Sequence, residues 1–192
     1  MLNQIRPAAT MLVAMTLLTG LAYPLAMTGL ARVIAPELSQ ASITLRDGQP
    51  IGSALVAQPF AGAGYLHPRP SAVDYATMPS GASNLSPGSA ALARQIAERR
   101  AAYQATNGAP APMDAVTASG SGLDPEISVA NATAQAIRIA KARGVDPDAV
   151  QAVIAGHVTQ PLWGLYGEAR VNVLLTNLAL DEAMPMTPSG GN

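Results

Sequence analysis

Between Arg6 and Arg32 the chain carries no charged side chain, and this run limits what the rest of the sequence can become. At about 1.5 Å rise per residue, a helix from Pro7 to Ala31 covers the roughly 30 Å hydrocarbon core of a bilayer with some tilt. Gly20, Pro24 and Gly29 would weaken a soluble helix here. A membrane helix tolerates them, because neighbouring helices and threonine side chains satisfy the freed backbone groups. Thr16, Thr19, Gly20 and Ala26 are small enough to let a second helix approach closely. A cleavable signal peptide is the competing reading, but its apolar region spans about 7–15 residues and ends at a small-residue cleavage site. The sequence Gly-Leu-Ala-Arg-Val-Ile-Ala-Pro that closes this run is a poor match, so an uncleaved anchor is expected. A very short tail with Arg6 inside and the large domain outside is the expected orientation. With no Asp, Glu, His, Lys or Arg inside it, one such helix makes no ion path, so any transport belongs to partner chains.

The remainder reads as one small α+β domain. Ile43 to Val56 alternates in the manner of a hairpin around Asp47-Gly48. Gln58 to Gly88 is rich in Pro, Gly and Ser, and loops of this length are uncommon unless functional or disordered. A helix over Ser89–Asn107 places Leu92, Ile96, Arg99 and Tyr103 on one face, and Gly108 ends it. A second helix is expected from Asp124-Pro125 to Gly144. A third follows Asp146, with Val150, Val153, Ile154 and His157 on one face. Val171 to Leu180 reads as a strand that could turn helical. The expected organisation is therefore a tail over 1–6, a transmembrane helix over 7–31, an extracytoplasmic domain of helices packed on a short β-sheet over 32–183, and a disordered tail over 184–192.

Charge and composition remove several functions. Arg6 and Arg32 are two of the 11 basic residues, so the chain beyond them carries about −3 against all 12 acidic residues, which gives no electrostatic footprint for nucleic acid. Without cysteine there is no disulfide, thiolate ligand or cysteine nucleophile. His67 and His157 are the only histidines; nothing clusters near either to hold a metal. His67 is expected to be solvated in the proline-rich loop and His157 to sit on a helix face or end. No Gly-x-Ser-x-Gly elbow follows a strand, and the Asp-Lys-Thr-Gly motif of P-type ATPases is missing.

The small-residue stretch Val116 to Pro125, with Ser119-Gly120-Ser121-Gly122, could cradle a phosphate at a helix start. No Lys-Ser or Lys-Thr follows, and an Asp124 carboxylate at the N-cap would repel the anion, so a tight capped turn is the preferred reading. Arg69, held between prolines, suits a rigidly presented contact, and a plain surface arginine is nearly as good a reading. Trp163 and Tyr166 read as packing aromatics. Arg94, Arg99 and Arg100 read as a solvated helix face.

Taken in order, the motifs resemble the C subunit of Kdp-type potassium-transporting ATPases. The matching pieces are the N-terminal span, Gly52-Ser53-Ala54-Leu55-Val56, Arg69-Pro70-Ser71-Ala72, Ser80-Gly81-Ala82-Ser83-Asn84-Leu85, Val116 through Pro125, Gln135 with Arg138, Ala140-Lys141-Ala142-Arg143, and Val171-Asn172-Val173 through Asn177-Leu178-Ala179-Leu180-Asp181. Ala57, His67-Pro68, Ala82 and Ala169 depart from the family's usual loop residues. The resemblance implies a non-catalytic accessory subunit in a bacterial cytoplasmic membrane. Its partners would be a potassium-binding channel-like subunit, an ATP-hydrolysing P-type subunit and a small accessory subunit, besides membrane lipid and no nucleic acid. It implies a catalytic chaperone that raises the ATP affinity of the hydrolysing subunit, with no tightly bound cofactor or metal and ATP met through the complex. Arg69, Ser71, Ser83, Asn84, Ser119, Gly120, Ser121, Gly122, Asp124, Asn172 and Asn177 become candidate partner-contact or motif residues, and Gln135 a candidate nucleotide contact. A membrane-anchored envelope hydrolase and an anchored small-ligand binding module are the alternatives.

Overall fold

In a computed structural model of the chain, residues 4–39, 42–46 and 48–186 are described. They form two units, residues 1–43 and 44–192.

The first unit is built on one helical rod, Ile5–Ile34, with none of its apolar surface buried in the chain. It comprises α1 (Ile5–Leu17), a π turn (Leu18–Ala22) and α2 (Tyr23–Ile34). The π turn sits directly before Pro24, whose missing N–H and bulky ring disrupt regular i to i−4 bonding. Thr19 Oγ1 donates to Met15 O at 2.7 Å and Thr28 Oγ1 to Pro24 O at 2.8 Å, so both hydroxyls are satisfied without an outside partner. The rod is about 45 Å long and is long and apolar enough to cross a membrane. Its ends lie a little beyond the uncharged run. A short helix α3 (Pro36–Ser39) follows.

The second unit carries the core. The hairpin expected from Asp47-Gly48 is present as β1 (Ile43–Arg46) and β2 (Gln49–Ser53), with Gly48 at φ +76°; Asp47 itself lies outside the described residues. After the long irregular segment come α4 (Ala90–Asn107) and α5 (Met113–Val116), then β3 (Glu126–Ser128) and α6 (Val129–Arg143). The chain ends in α7 (Pro147–Gly156), β4 (Val158–Thr159), β5 (Arg170–Asn172) and α8 (Val173–Ala183). The strands β3, β5 and β4 form an antiparallel sheet with β5 in the middle. Val171 stands opposite both Ile127 and Val158. Side chains of this sheet meet Ala132, Ala136, Ile139 and Ala140 of α6, Val150 and Ile154 of α7, and Val173 and Leu180 of α8 in one core. Small residues on α6 let these elements approach closely, which suits a chain whose aromatic content is 4%.

Two strands run directly into helices; there one expectation fails and another, a strand turning helical, is borne out with an early turn. The second helix begins at Val129, not at Asp124-Pro125. The reason is local: Ser128 caps α6 by accepting from Asn131 N at 3.1 Å, while Glu126–Ser128 is drawn into the sheet by β5. The stretch read as a strand over Val171–Leu180 is a strand only to Asn172. Asn172 Oδ1 accepts from Leu175 N at 3.1 Å and starts α8, and an asparagine cap outweighs two alternating valines. Gly108 and Gly144 close α4 and α6 in left-handed geometry as expected, and Asp146 caps α7 ahead of Pro147. His157 is exposed at the C-terminal end of α7, apart from the buried face of Val150 and Ile154. The boundary at 183 falls at the end of α8, yet Met184 still packs against the core; residues 187–192 lie outside the described residues.

Candidate functional site

The irregular segment before α4 is the centre of the molecule's polar chemistry. Segments without ladders must still satisfy their backbone groups when buried, and here helix side chains do it. Asn177 on α8 accepts from Leu66 N at 2.7 Å and donates to Leu66 O at 3.0 Å. Gln135 on α6 treats His67 the same way, accepting from its N at 2.8 Å and donating to its O at 3.2 Å. Two side-chain amides thus imitate a β-bridge on successive residues and seat Leu66, fully buried, in the core.

Gln135 has nothing left over. Its Nε2 also donates to Asn131 Oδ1 at 3.0 Å and its Oε1 also accepts from Arg138 Nη2 at 2.7 Å. A glutamine amide offers two donors and two acceptor sites, all four are engaged, and the residue is 1% exposed. A nucleotide could reach it only by displacing the His67 segment.

The seam continues on both sides of Gln135. Arg138 Nε donates to Asn107 Oδ1 at 2.8 Å and Nη1 to Ala63 O at 2.6 Å. Tyr103 OH donates to Asn131 Oδ1 at 2.9 Å, and burial with the nearby Asp114 carboxylate pushes its pKa up to about 12. Asp114 in turn accepts from Asn131 Nδ2, Ser128 N and Ser128 Oγ. One turn further along, Arg143 has a fully buried side chain. Its guanidinium donates to the carbonyls of Gly64, Leu180 and Met184 and to Asp181 Oδ1 at 2.9 Å. It also lies over the Tyr65 ring at 5.1 Å, and Asp181 takes Arg46 on its other oxygen. The sequence pointed to Arg138, Arg143 and Asp181 only as family motifs. Their signal was a polar row, Asn131, Gln135 and Arg138, running along the buried face of an alanine-rich helix.

His67 is half-buried, not solvated. Its Nε2 stands 3.1 Å from Gly62 O and 3.5 Å from Arg138 Nη1. Burial, followed by the Arg138 charge, lowers its pKa, with the Gly62 carbonyl opposing weakly. A proton therefore binds more readily to the unfolded chain, so stability is complete above the unfolded value of about 6.5 and is lost as pH falls through it towards the folded value. The full chain in detergent should melt at a lower temperature at pH 5.5 than at pH 7.5, and His67→Gln should flatten that slope. His157, exposed with Nδ1 against Val153 O, is retained in both. Equal slopes would contradict the assignment.

A second cluster joins most of the other candidates. Arg69 Nη1 meets Asp124 Oδ2 at 2.9 Å, while Asp124 Oδ1 accepts from Glu126 N at 3.0 Å. Asp124 is thus a turn and ion-pair residue, not the helix cap expected of it. Ser71 Oγ accepts from the amides of Val73 and Tyr75, and Tyr75 OH donates to Arg69 O at 2.9 Å. The Ser119–Gly122 loop is sewn onto this segment: Ser119 N donates to Pro70 O and Gly81 N to Ser121 O, both at 2.9 Å. Gly122 has φ +72°, and a Cβ there would lie 2.6 Å from Val73 Cγ2 and 2.9 Å from Gly81 O, so no other residue fits. The amides of Ser119, Gly122, Leu123 and Asp124 are all taken internally, and none is aimed at an anion. Gly120 is exposed with open space around it. Ser83 is half-buried and Asn84 exposed at φ +52°. Asn172, paired with Glu126 across the sheet, caps α8 and donates to Ala54 O at 2.8 Å.

Two side-chain expectations are corrected. Arg99 is half-buried rather than fully solvated, its Nη1 donating to Val116 O at 3.1 Å. Trp163 and Tyr166 pack on each other, edge to face at 6.3 Å, and are 80% and 66% exposed.

Comparison with known proteins gives this architecture relatives. The family model described as "K+-transporting ATPase, c chain" matches residues 5–182. A potassium-transporting ATPase KdpC subunit from Cereibacter sphaeroides is 62% identical over 183 residues, covering 95% of this chain and 99% of its own. The proteins of that name from Rhodospirillum rubrum and Rhodopseudomonas palustris are 51% and 48% identical, over 97% and 96% of this chain and 99% and 100% of theirs.

Proposed function

Because the chain belongs to the KdpC family, the c chain of K+-transporting ATPases, we propose that it is the single-span, non-catalytic subunit of an ATP-driven potassium uptake complex. The observation that carries this reading is the family match from residue 5 to residue 182, which takes in the apolar helix and the domain together. The helix anchors the chain in the bacterial cytoplasmic membrane. The family resemblance supports a domain on the outer side. Partners of the kinds implied by the resemblance, a channel-like potassium-binding subunit, a P-type ATP-hydrolysing subunit and a small accessory subunit, then supply transport and hydrolysis.

The rim formed by Arg69, Asp124 and the loops of Ser71, Ser83, Asn84 and Gly120 is the surface we assign to a partner subunit. Internal hydrogen bonds hold these loops in shape before binding, which lowers the entropy cost of association. The chaperone effect on ATP affinity works through such contacts. ATP is met through the complex, and Gln135 contributes by shaping the domain rather than by touching nucleotide. Reconstitution tests this. With a tagged chain, the polytopic subunits should co-purify and show potassium-stimulated ATP hydrolysis, and Arg69→Ala should weaken their recovery. Full recovery and activity of the complex without this chain would refute the proposal.

A further inference from the structure

We propose that the turn Pro161–Gly167 is a second membrane contact, dipping into the lipid headgroup region. Leu162, Trp163, Leu165 and Tyr166 are 59%, 80%, 81% and 66% exposed. They are held outward by a tight hairpin tip. Leu162 N donates to Tyr166 O at 2.9 Å, Tyr166 N to Leu162 O at 3.1 Å, and Trp163 and Gly164 both adopt positive φ, +54° and +72°. A bulky residue in left-handed backbone is unusual, and here it sits at the tip of the turn with its side chain in solvent. Contiguous apolar surface of this kind marks an interaction site.

Lipid is the occupant the sequence favours. From Val158 to Gly167 there is no charged side chain, and charge returns only at Glu168 and Arg170, at the base of the turn. Tryptophan and tyrosine, each with an apolar body and a polar handle, are the residues that collect at the membrane–water boundary, and leucine adds apolar area below it. The tether supplies the proximity: the chain from Ile34 to Thr44 reaches at most about 36 Å even fully extended. The domain therefore never leaves the neighbourhood of the bilayer that the Ile5–Ile34 helix crosses. Weak insertion suffices under such tethering, because effective concentration replaces affinity.

Trp163 is the chain's single tryptophan, so its fluorescence reports this turn alone. The full chain is placed in vesicles of phosphatidylcholine and phosphatidylglycerol, with and without lipids brominated near the headgroup. Emission should be blue-shifted, should lose most of its intensity in the brominated vesicles and should resist acrylamide. Leu162→Ser combined with Leu165→Ser, two exposed positions, should restore intensity and acrylamide access while Trp163 remains. Emission that ignores bromine and yields freely to acrylamide would overturn the proposal. So would shielding that arises only in the assembled complex and without bromine quenching, which would assign the turn to a partner subunit. The inference rests on anchoring by the N-terminal helix, and retention of the chain in the pellet after alkaline carbonate washing checks that premise separately.

Discussion

Gln135→Ala is expected to destabilise the domain by about 3–5 kcal/mol, a large part of the roughly 5–15 kcal/mol that holds a domain of this size together. Truncating a buried side chain leaves a cavity, which alone costs about 2–5 kcal/mol at sites that relax poorly. In this case it also orphans the N–H and C=O of His67 and one donor of Arg138, while Asn131 Oδ1 keeps Tyr103 OH. Buried polar groups left without partners cost about 1–3 kcal/mol each where water cannot reach them. Chemical denaturation of the full chain in detergent measures the loss. A change below about 1 kcal/mol would mean that the four hydrogen bonds are not what keeps the His67 segment in place.

Arg143→Ala is expected to cost about the same, roughly 3–5 kcal/mol, because it removes a fully buried cation from a closed set of partners. The carbonyls of Gly64 and Met184 lose the Arg143 donor, and Leu180 O is left with the Met184 amide alone. Asp181 keeps Arg46 and Tyr65, so its carboxylate is not stranded, and the larger part of the loss falls on the main chain. Arg143→Lys discriminates between charge and shape. A lysine restores the charge to Asp181 but cannot reach three carbonyls with one planar fork, so about half of the loss should remain. Full rescue by lysine would show that the ion pair alone matters. The readout is again the denaturation midpoint, together with release of Tyr65 from its stacked position.

What could be read in the sequence follows the reach of local rules. The uncharged run before Arg32 marks a helix long and apolar enough to cross a membrane, and Gly108, Gly144, Asp146-Pro147 and Asp47-Gly48 mark ends and turns, because capping and turn chemistry acts over a few neighbouring residues. The start of α6 was misplaced because Asp124-Pro125 and Ser128 are both good local starts, and only pairing of Glu126–Ser128 with Arg170–Asn172 decides between them. That pairing is distant in sequence. The same distance hid the amide clasps: nothing near Leu66 or His67 announces that Asn177 and Gln135 will serve as their ladder partners. Of the candidate site, Arg69, Ser71, Ser119, Ser121, Gly122 and Asp124 meet in one place, which the separate readings of the proline-flanked arginine and of the Ser-Gly turn did not foresee. Asn172 serves as a cap at the strand end paired with Glu126. Trp163 and Tyr166 defied a sound rule, that aromatics in a poorly aromatic chain belong inside, and such a departure is where function is to be sought.

Hydrolysis by the reconstituted complex, measured as a function of ATP concentration at saturating potassium, bears most directly on the role assigned to this chain. With the chain present, the polytopic subunits should assemble and reach half-maximal rate at a lower ATP concentration than preparations lacking it, with the chain itself hydrolysing nothing. An identical ATP dependence and an identical yield of assembled complex in its absence would contradict that role.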